Sequence, residues 1–249
     1  MELAGKVVLI TGGTKGIGAA TAVLMASLGA DVAINGRHDD AEAKRIRDAI
    51  EGLGRRCAVI LADVGKPDQA TRCVAQAIDA LGRLDVLVHS AGGIVTGSLL
   101  EVSPKAWHEA FDVHVHAAFH LVRAAVPEMK KNGEGAVVLI SSVAGIRALP
   151  QHVAYQVAKG ALPQFARAIA YELAADNIRV NAVAPGIIAT RLHEGLSAER
   201  RKYNCDHRIP LHREGTPEQV ARLITDLAVN DYVTGETVTI DGGLTMRIA

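Results

Sequence analysis

A chain of 249 residues can bury a large core, and Lys plus Arg balance Asp plus Glu at 27 each, so the formal net charge is zero. That balance gives no electrostatic footing for nucleic acid or an anionic membrane, and no apolar run reaches bilayer-spanning length. The three cysteines, Cys57, Cys73 and Cys205, form no Cys-x-x-Cys pair, and residues 1–6 carry no apolar signal core, so reduced thiols and a cytoplasmic location are expected.

In chain order, residues 6–10 read as a buried strand and residues 16–28 as a helix ended by Gly29. A second strand at 32–34, a charged amphipathic helix at 41–53 and a third strand at 56–61 follow. Pro67 opens a helix over 67–81, and 84–88 is the fourth strand. Ser103-Pro104 opens a helical stretch, with room for a break, to about residue 131. Strands at 136–140 and 178–183 flank a long helix over 153–174. Residues 187–215 read as irregular, long enough to mark a functional lid over about 187–214. Thr216-Pro217 caps a helix to about residue 228, and 237–240 is the last strand. Arg200-Arg201-Lys202 reads as one turn of a solvated helix. Continuous apolar strands separated by helices require a parallel sheet covered on both faces, and the absence of a linker predicts a single domain over 1–249.

Thr11-Gly12-Gly13-Thr14-Lys15-Gly16-Ile17-Gly18 is a glycine-rich turn between the first strand and the first helix. Such a turn binds pyrophosphate because backbone N–H groups and the helix dipole face the anion. Gly12, Gly16 and Gly18 let the backbone come close, with Thr14, Lys15 and Ile17 around them. The end of the second strand should discriminate between the two nicotinamide dinucleotides. It reads Asn35-Gly36-Arg37, with no carboxylate to accept from a free 2′-hydroxyl. Arg37 can grip a phosphate through its planar fork, and Lys15 adds a second cation, so NADP(H) is the expected cofactor. Asp63-Val64 is placed beside the adenine, although Asp63 reads equally as a strand-end turn residue. Ser90-Ala91-Gly92-Gly93 ends the fourth strand where a doubly wound sheet switches direction.

Tyr155 and Lys159 are four residues apart on one helix face. A nearby ammonium stabilises phenolate, so Tyr155 can exchange a proton with a carbonyl or alcohol oxygen while hydride moves at the adjacent carbon. Ser142, at the end of a strand just before that helix, can hydrogen-bond the same oxygen. No His-Glu-x-x-His pattern occurs among the ten histidines, and no metal site is expected.

With these motifs in view, the chain resembles the short-chain dehydrogenase/reductase family in its NADP-type branch. The match runs from the glycine turn through Ala62-Asp63-Val64, Ala91-Gly92, Ser142, Tyr155-x-x-x-Lys159, Pro185-Gly186 with Thr190, and Asp241-Gly242-Gly243. The resemblance implies an α/β class, single-domain Rossmann fold whose doubly wound parallel sheet has seven strands with helices on both faces. It implies a cofactor-binding half over about 1–92 and a catalytic and substrate half over about 93–249. It also implies that Lys159 holds the nicotinamide ribose, that Thr190 holds the carboxamide beside Pro185, Gly186 and Ile188, and that the protein is a homotetramer or homodimer.

The chain departs from the family pattern at His89-Ser90-Ala91-Gly92, where Asn-Asn-Ala-Gly is usual, and at His114, where an asparagine of the proton relay is usual. An imidazole at 114 can join the relay or be purely structural, and both readings stand. Ile94, Ala144, His152, Gly186 and Leu192, with Ser142 and Tyr155, are expected to line the substrate pocket. Val95, Ile146 and Gln151 extend the same walls. The expected activity is hydride transfer between nicotinamide and a small-molecule ketone or secondary alcohol. A 3-oxoacyl-[acyl-carrier-protein] reductase, a sugar or polyol dehydrogenase and a non-catalytic NADP-binding sensor are the alternatives. Against carrier docking, Gly133 and Asp176 occupy positions where the carrier-protein reductases commonly have arginine, with Lys130 and Lys131 as partial compensation.

Overall fold

The computed structural model describes residues 1–190 and 195–246. Its strands are β1 (Val7–Thr11), β2 (Asp31–Gly36), β3 (Cys57–Leu61), β4 (Val86–His89), β5 (Gly135–Ile140), β6 (Ile178–Pro185) and β7 (Thr237–Ile240). Its helices are α1 (Gly16–Ser27), α2 (Ala41–Gly52), α3 (Pro67–Leu81), α4 (Pro104–Phe111), α5 (Ala117–Asn132), α6 (Val153–Leu173), α7 (Ala198–Tyr203) and α8 (Pro217–Val229). The strands form one parallel sheet in the order β3-β2-β1-β4-β5-β6-β7. The order reverses between β1 and β4, which opens a crevice at their C-terminal ends.

Parallel pairing forces each crossover helix onto a face of the sheet, so the central strands are buried on both sides. Val7–Thr11 and Gly135–Ile140 are buried at every position. One face packs Leu9, Leu87, Val137 and Val180 against α3, α5 and α6. The other packs Val8, Ile10, Val88 and Val138 against α1, α2 and α8. Burial of such side chains contributes roughly 1.5–3 kcal/mol each, set against the entropy of ordering the chain.

Polar groups inside the sheet are paired. Asp85, fully buried just before β4, accepts from the Val7 N–H at 2.9 Å and takes a two-point bond from Arg83. Arg179 of β6 donates to the Leu227 and Ala228 carbonyls at 2.7 and 2.6 Å. Those carbonyls belong to the last turn of α8, the negative end of its dipole. Asn35, at the end of β2, donates to the Ile60 and Ala62 carbonyls and so ties β2 to β3.

One stretch fills in the sequence reading and another departs from it. The helix over 104–131 is interrupted by a π turn at Asp112–His116, between α4 and α5. Such turns leave the α-helical hydrogen-bond ladder and often mark functional sites. The segment over 187–215 is not wholly irregular. It contains α7, capped by Ser197, and a second π turn at Asn204–Arg208. Its two ends are zipped together where Ala189 donates to the Gly215 carbonyl and Gly215 to the Ile187 carbonyl. The excursion is therefore a closed loop on a paired stem. Arg200-Arg201-Lys202 lies in α7 as expected, with Lys202 paired to Asp206 at 2.5 Å and Arg201 to Glu214 at 3.0 Å.

Candidate active site

The glycine turn lies at the switch point, held by contacts that leave no room for side chains. A Cβ on Gly12 would sit 2.9 Å from the Ala91 backbone, and one on Gly18 would sit 2.3 Å from the Gly12 carbonyl oxygen. Gly12 also has φ +65°, a conformation that favours glycine. Lys15 occupies the N-cap of α1 without a side-chain bond to the helix, so the first N–H groups, from Gly16, Ile17 and Gly18, remain for an anion. Thr14 is buried beneath the turn, and the Thr190 side chain lies over Gly16, 3.5 Å from where a Cβ would stand. The chain from Pro185 and Gly186 to the buried Ile188 thus returns to the same crevice. These features fit a dinucleotide. Gly12, Gly16, Ile17 and Gly18 would hold its pyrophosphate, and Thr190 its nicotinamide end.

Around the adenosine corner the residues behave differently from one another. Arg37 is exposed at the end of β2. Lys15 is paired instead, with Glu42 at 2.7 Å and Asp40 at 3.1 Å, and these bonds raise its pKa. Asp40 also caps α2 through the Glu42 and Ala43 N–H groups. Asp63 accepts from the Gly65 N–H at 3.1 Å, a strand-end turn, and Val64 beside it is buried. Ser90, Ala91 and Gly92 follow β4 directly across from the glycine turn, where Ala91 donates to Thr11 Oγ1 at 3.3 Å.

Ser142, Tyr155 and Lys159 converge at the end of β5. Ser142 precedes a single 3-10 turn (Val143–Gly145), and its Oγ accepts from the Ala144 N–H at 3.1 Å. That turn packs on α6 so closely that a Cβ on Gly145 would lie 2.7 Å from the Gly160 nitrogen. Ser141 donates to the Lys159 carbonyl at 2.7 Å, a second tie between β5 and α6. Tyr155 and Lys159 are only 8% and 6% exposed. Burial pushes the Tyr155 phenol above its ordinary pKa, and its hydrogen bond with Ser142 pulls it part of the way back. Lys159 Nζ donates to the Ile140 carbonyl at 2.7 Å and stands 5.8 Å from the Tyr155 ring centroid. Burial pulls its pKa down to about 7.

Lys159 Nζ thus lies over the phenol ring, on the helix face that the i, i+4 spacing predicts. The spacing fixes a shared face, but the Ile140 carbonyl decides where the ammonium ends.

His114 lies in the π turn, 1% exposed, and its ring meets Tyr155 edge-on at 5.7 Å between centroids. Its Nε2 is 3.1 Å from the Gly93 carbonyl, while Nδ1 is buried without a hydrogen-bond partner among the described residues. Burial first, and the Lys159 charge second, hold its pKa well below the ordinary value.

Among the expected pocket residues, His152 turns Nδ1 to the Pro150 carbonyl at 2.7 Å and pairs through its backbone with Gly97. Ile94 is half-buried on the loop after β4. Ala144 lines a shallow depression with Ile146, Gln156, Val157 and Ala161 rather than with Tyr155. Gly186 abuts Asp241, whose carboxylate caps the Gly243 and Thr245 N–H groups. Leu192 lies outside the described residues. Sequence reasoning gave no role to Thr11, Ser141 or His89, all buried at this crevice. Only His89 carried a signal, as a histidine where asparagine is usual. Among the described residues no cluster of metal-binding side chains is present, and no helix is long and apolar enough to cross a membrane.

A family model described as enoyl-(acyl carrier protein) reductase matches residues 12–245. The chain is 38% identical over 246 residues to the 3-oxoacyl-[acyl-carrier-protein] reductase of Thermotoga maritima, covering 98% of this chain and 99% of that protein. It is 34% identical over 250 residues to an L-rhamnose 1-dehydrogenase (NAD(P)(+)) of Sphingomonas sp., covering 99% and 98%. The structure of L-sorbose reductase from Gluconobacter frateurii, complexed with NADPH and L-sorbose, matches with a TM-score of 0.92 at 28% identity over 100% of both chains.

The buried Lys159 makes stability depend on pH in a defined direction. Its pKa is about 7 in the folded protein against an ordinary 10.5, so between these values the unfolded chain holds a proton that the folded chain does not. Stability contributed by this group therefore rises with pH across that window, by up to about 1.4 kcal/mol per unit. Lys159→Met should melt at a higher temperature than wild type below pH 7, and the gap should close toward pH 10. A constant gap, measured by calorimetry across that range, would contradict the burial cost.

Proposed function

The chain belongs to the short-chain dehydrogenase/reductase family, oxidoreductases that interconvert CH–OH and C=O groups with a nicotinamide cofactor, and from that premise we propose that it is an NADP(H)-dependent reductase or dehydrogenase of a small, diffusible ketone or secondary alcohol. The carrying observation is the convergence of the buried Tyr155 phenol with Ser142 and with a buried Lys159 on the same helix face. Tyr155 gives its proton to the carbonyl oxygen in reduction, or takes it from the alcohol in oxidation. Ser142 donates to the same oxygen as charge develops there. Lys159 lowers the cost of the phenolate once charged, and it holds ribose hydroxyls. The nicotinamide, when bound, supplies or accepts the hydride. His114, neutral and with a bare Nδ1, offers an acceptor beside Tyr155 through which the proton path can continue.

NADP(H) is supported by the corner at the end of β2. A Cβ at Gly36 would meet the Thr14 methyl at 2.9 Å, so this position has no space for the carboxylate that would repel a 2′-phosphate. The exposed Arg37 supplies the cation, while Lys15 is shared with Asp40 and Glu42. The L-sorbose reductase structure holds NADPH.

A diffusible substrate is favoured over a carrier-bound one because the lysines that might attract an acidic carrier are engaged. Lys130 pairs with Asp176 at 2.7 Å and Lys131 with Glu128 at 2.9 Å. A sugar-like ketone is the second reading, favoured by the likeness to L-sorbose reductase and L-rhamnose 1-dehydrogenase. Free cysteines suit a cytoplasmic setting.

NADPH oxidation should be followed against a panel containing a 3-oxoacyl carrier protein, 3-oxo esters and ketoses. Turnover of the carrier-bound substrate alone would remove the diffusible reading. Arg37→Asp should erase the preference for NADPH over NADH, mainly through the KM for the cofactor; equal efficiency of wild type with both would overturn the NADP assignment. Tyr155→Phe should lower kcat by roughly a hundred- to ten-thousandfold, the range for a lost general acid. His114→Ala should lower kcat while His114→Asn keeps most of it; a His114→Ala protein with the wild-type rate and pH profile would leave His114 structural. A homotetramer or homodimer is proposed because Phe119 of α5 and Val157 of α6 stay 44% and 45% exposed. Sedimentation should show more than one chain at micromolar concentration, and a monomer there refutes it.

A further inference from the structure

The loop after β4 and the π turn before α5 are joined by two histidines that cross in opposite directions. His89, the last residue of β4 and 1% exposed, has both ring nitrogens in use. Its Nδ1 is 2.8 Å from Thr11 Oγ1, and its Nε2 is 3.1 Å from the Val113 carbonyl in the π turn. His114, from that same turn, reaches back to the Gly93 carbonyl.

The carbonyls settle the tautomers. A carbonyl oxygen only accepts, so each Nε2 carries a proton. A second proton would place a cation in a buried site that already contains Lys159. Burial and then the Lys159 charge hold His89 down to about 4. The groups acting on the two rings are Lys159 from α6, each other, and for His114 the edge-on Tyr155 ring. With Nδ1 of His89 bare, Thr11 donates its hydroxyl proton there and accepts from the Ala91 N–H. The bonds then run without a mismatch from Ala91 through Thr11 and His89 to Val113. The His114 ring packs closely against one side of Gly92: a Cβ there would stand 2.0 Å from His114 Cε1.

We propose that His89 is a positioning residue, which with His114 forms a clasp of two neutral imidazoles locking the π turn onto the loop Ser90–Gly93, so that the cofactor crevice and the wall behind Tyr155 move as one body. The clasp uses His114 Nε2, whereas a proton path through His114 would use Nδ1. The proposal rests on the dinucleotide reading of the crevice, and it survives if the relay role of His114 fails.

Histidine-selective 15N NMR of the wild-type protein tests the clasp without any substitution. Two rings should hold the Nε2–H tautomer and stay neutral down to about pH 5. If no pair does so, or if the signals lost in His89→Asn and His114→Asn titrate near 6.5, the clasp is refuted. NADPH binding by fluorescence and hydrogen exchange test the positioning. His89→Phe fills the ring volume without bonds; it should weaken NADPH about tenfold and speed exchange at 112–116 with little change at distant strands. His89→Asn, whose amide can donate to the Val113 carbonyl, should restore both to within about threefold. If His89→Phe binds NADPH like wild type with unchanged exchange at 112–116, His89 does not position the turn. Should His89→Phe fail to fold, Thr11→Val replaces it: removing the hydroxyl donor should raise exchange at 112–116, and unchanged protection overturns the proposal. Failure of wild type to bind either NADPH or NADH would instead sink the dinucleotide reading.

Discussion

An ammonium buried at the C-terminal edge of the sheet organises this site. Lys159 donates to a neutral acceptor, the Ile140 carbonyl, and among the described residues no carboxylate pairs with it. Such a charge is costly to bury, and its neighbours must adjust to it. The two histidines near it are kept neutral, and the phenol beside it lies against a group whose charge can change near pH 7. Of these groups Lys159 is the one held near its point of proton exchange at neutral pH, and such perturbed groups cluster at functional sites. The same burial makes the unliganded site a weak point in stability, as catalytic sites commonly are.

Close backbone approach is the complementary constraint. The glycine turn touches the end of β4, the Val143–Gly145 turn touches α6, and Gly186 touches Asp241, each at distances that exclude a Cβ. These approaches bring distant chain segments together at the C-terminal edge of the sheet, where its order reverses. Parallel strands do this naturally, because every strand ends at the same edge and every following loop starts there. The polar groups at the opposite edge, Asp85 and Arg179, serve a different purpose: they join strand to strand and helix to sheet.

The specificity corner shows how much pairing decides. Lys15 and Arg37 carry the same charge and flank the same strand-to-helix junction. Lys15 is drawn to Asp40 and Glu42, at the start of α2, and Arg37 projects into solvent. The same distinction applies to Lys130, which answers Asp176 rather than an outside partner. A count of cations near a site overstates its attraction for anions unless the neighbouring carboxylates are known.

Strand and helix order, the glycine turn and the Ser142, Tyr155 and Lys159 set were legible in the sequence. Their signals are local: apolar runs of strand length, an i, i+4 pair, and glycines at the one turn that needs them. The π turn was visible only as a weak break, since the bonds that tie it down run to His89 of β4 and to Gly93 in the loop after it, more than twenty residues earlier in the chain. The stem of the 187–215 excursion was hidden for the same reason, because Ile187, Ala189 and Gly215 pair across the loop they close. The sequence by itself determined the fold class and the chemical groups at the crevice, because periodicity and residue type suffice for both. Only the tertiary structure decided where the Lys159 ammonium ends, which cation is left facing solvent, and that His89 meets the Val113 carbonyl and His114 the Gly93 carbonyl. Those outcomes depend on which carbonyl or carboxylate lies within 3 Å or so, and chain-distant neighbours are set by packing.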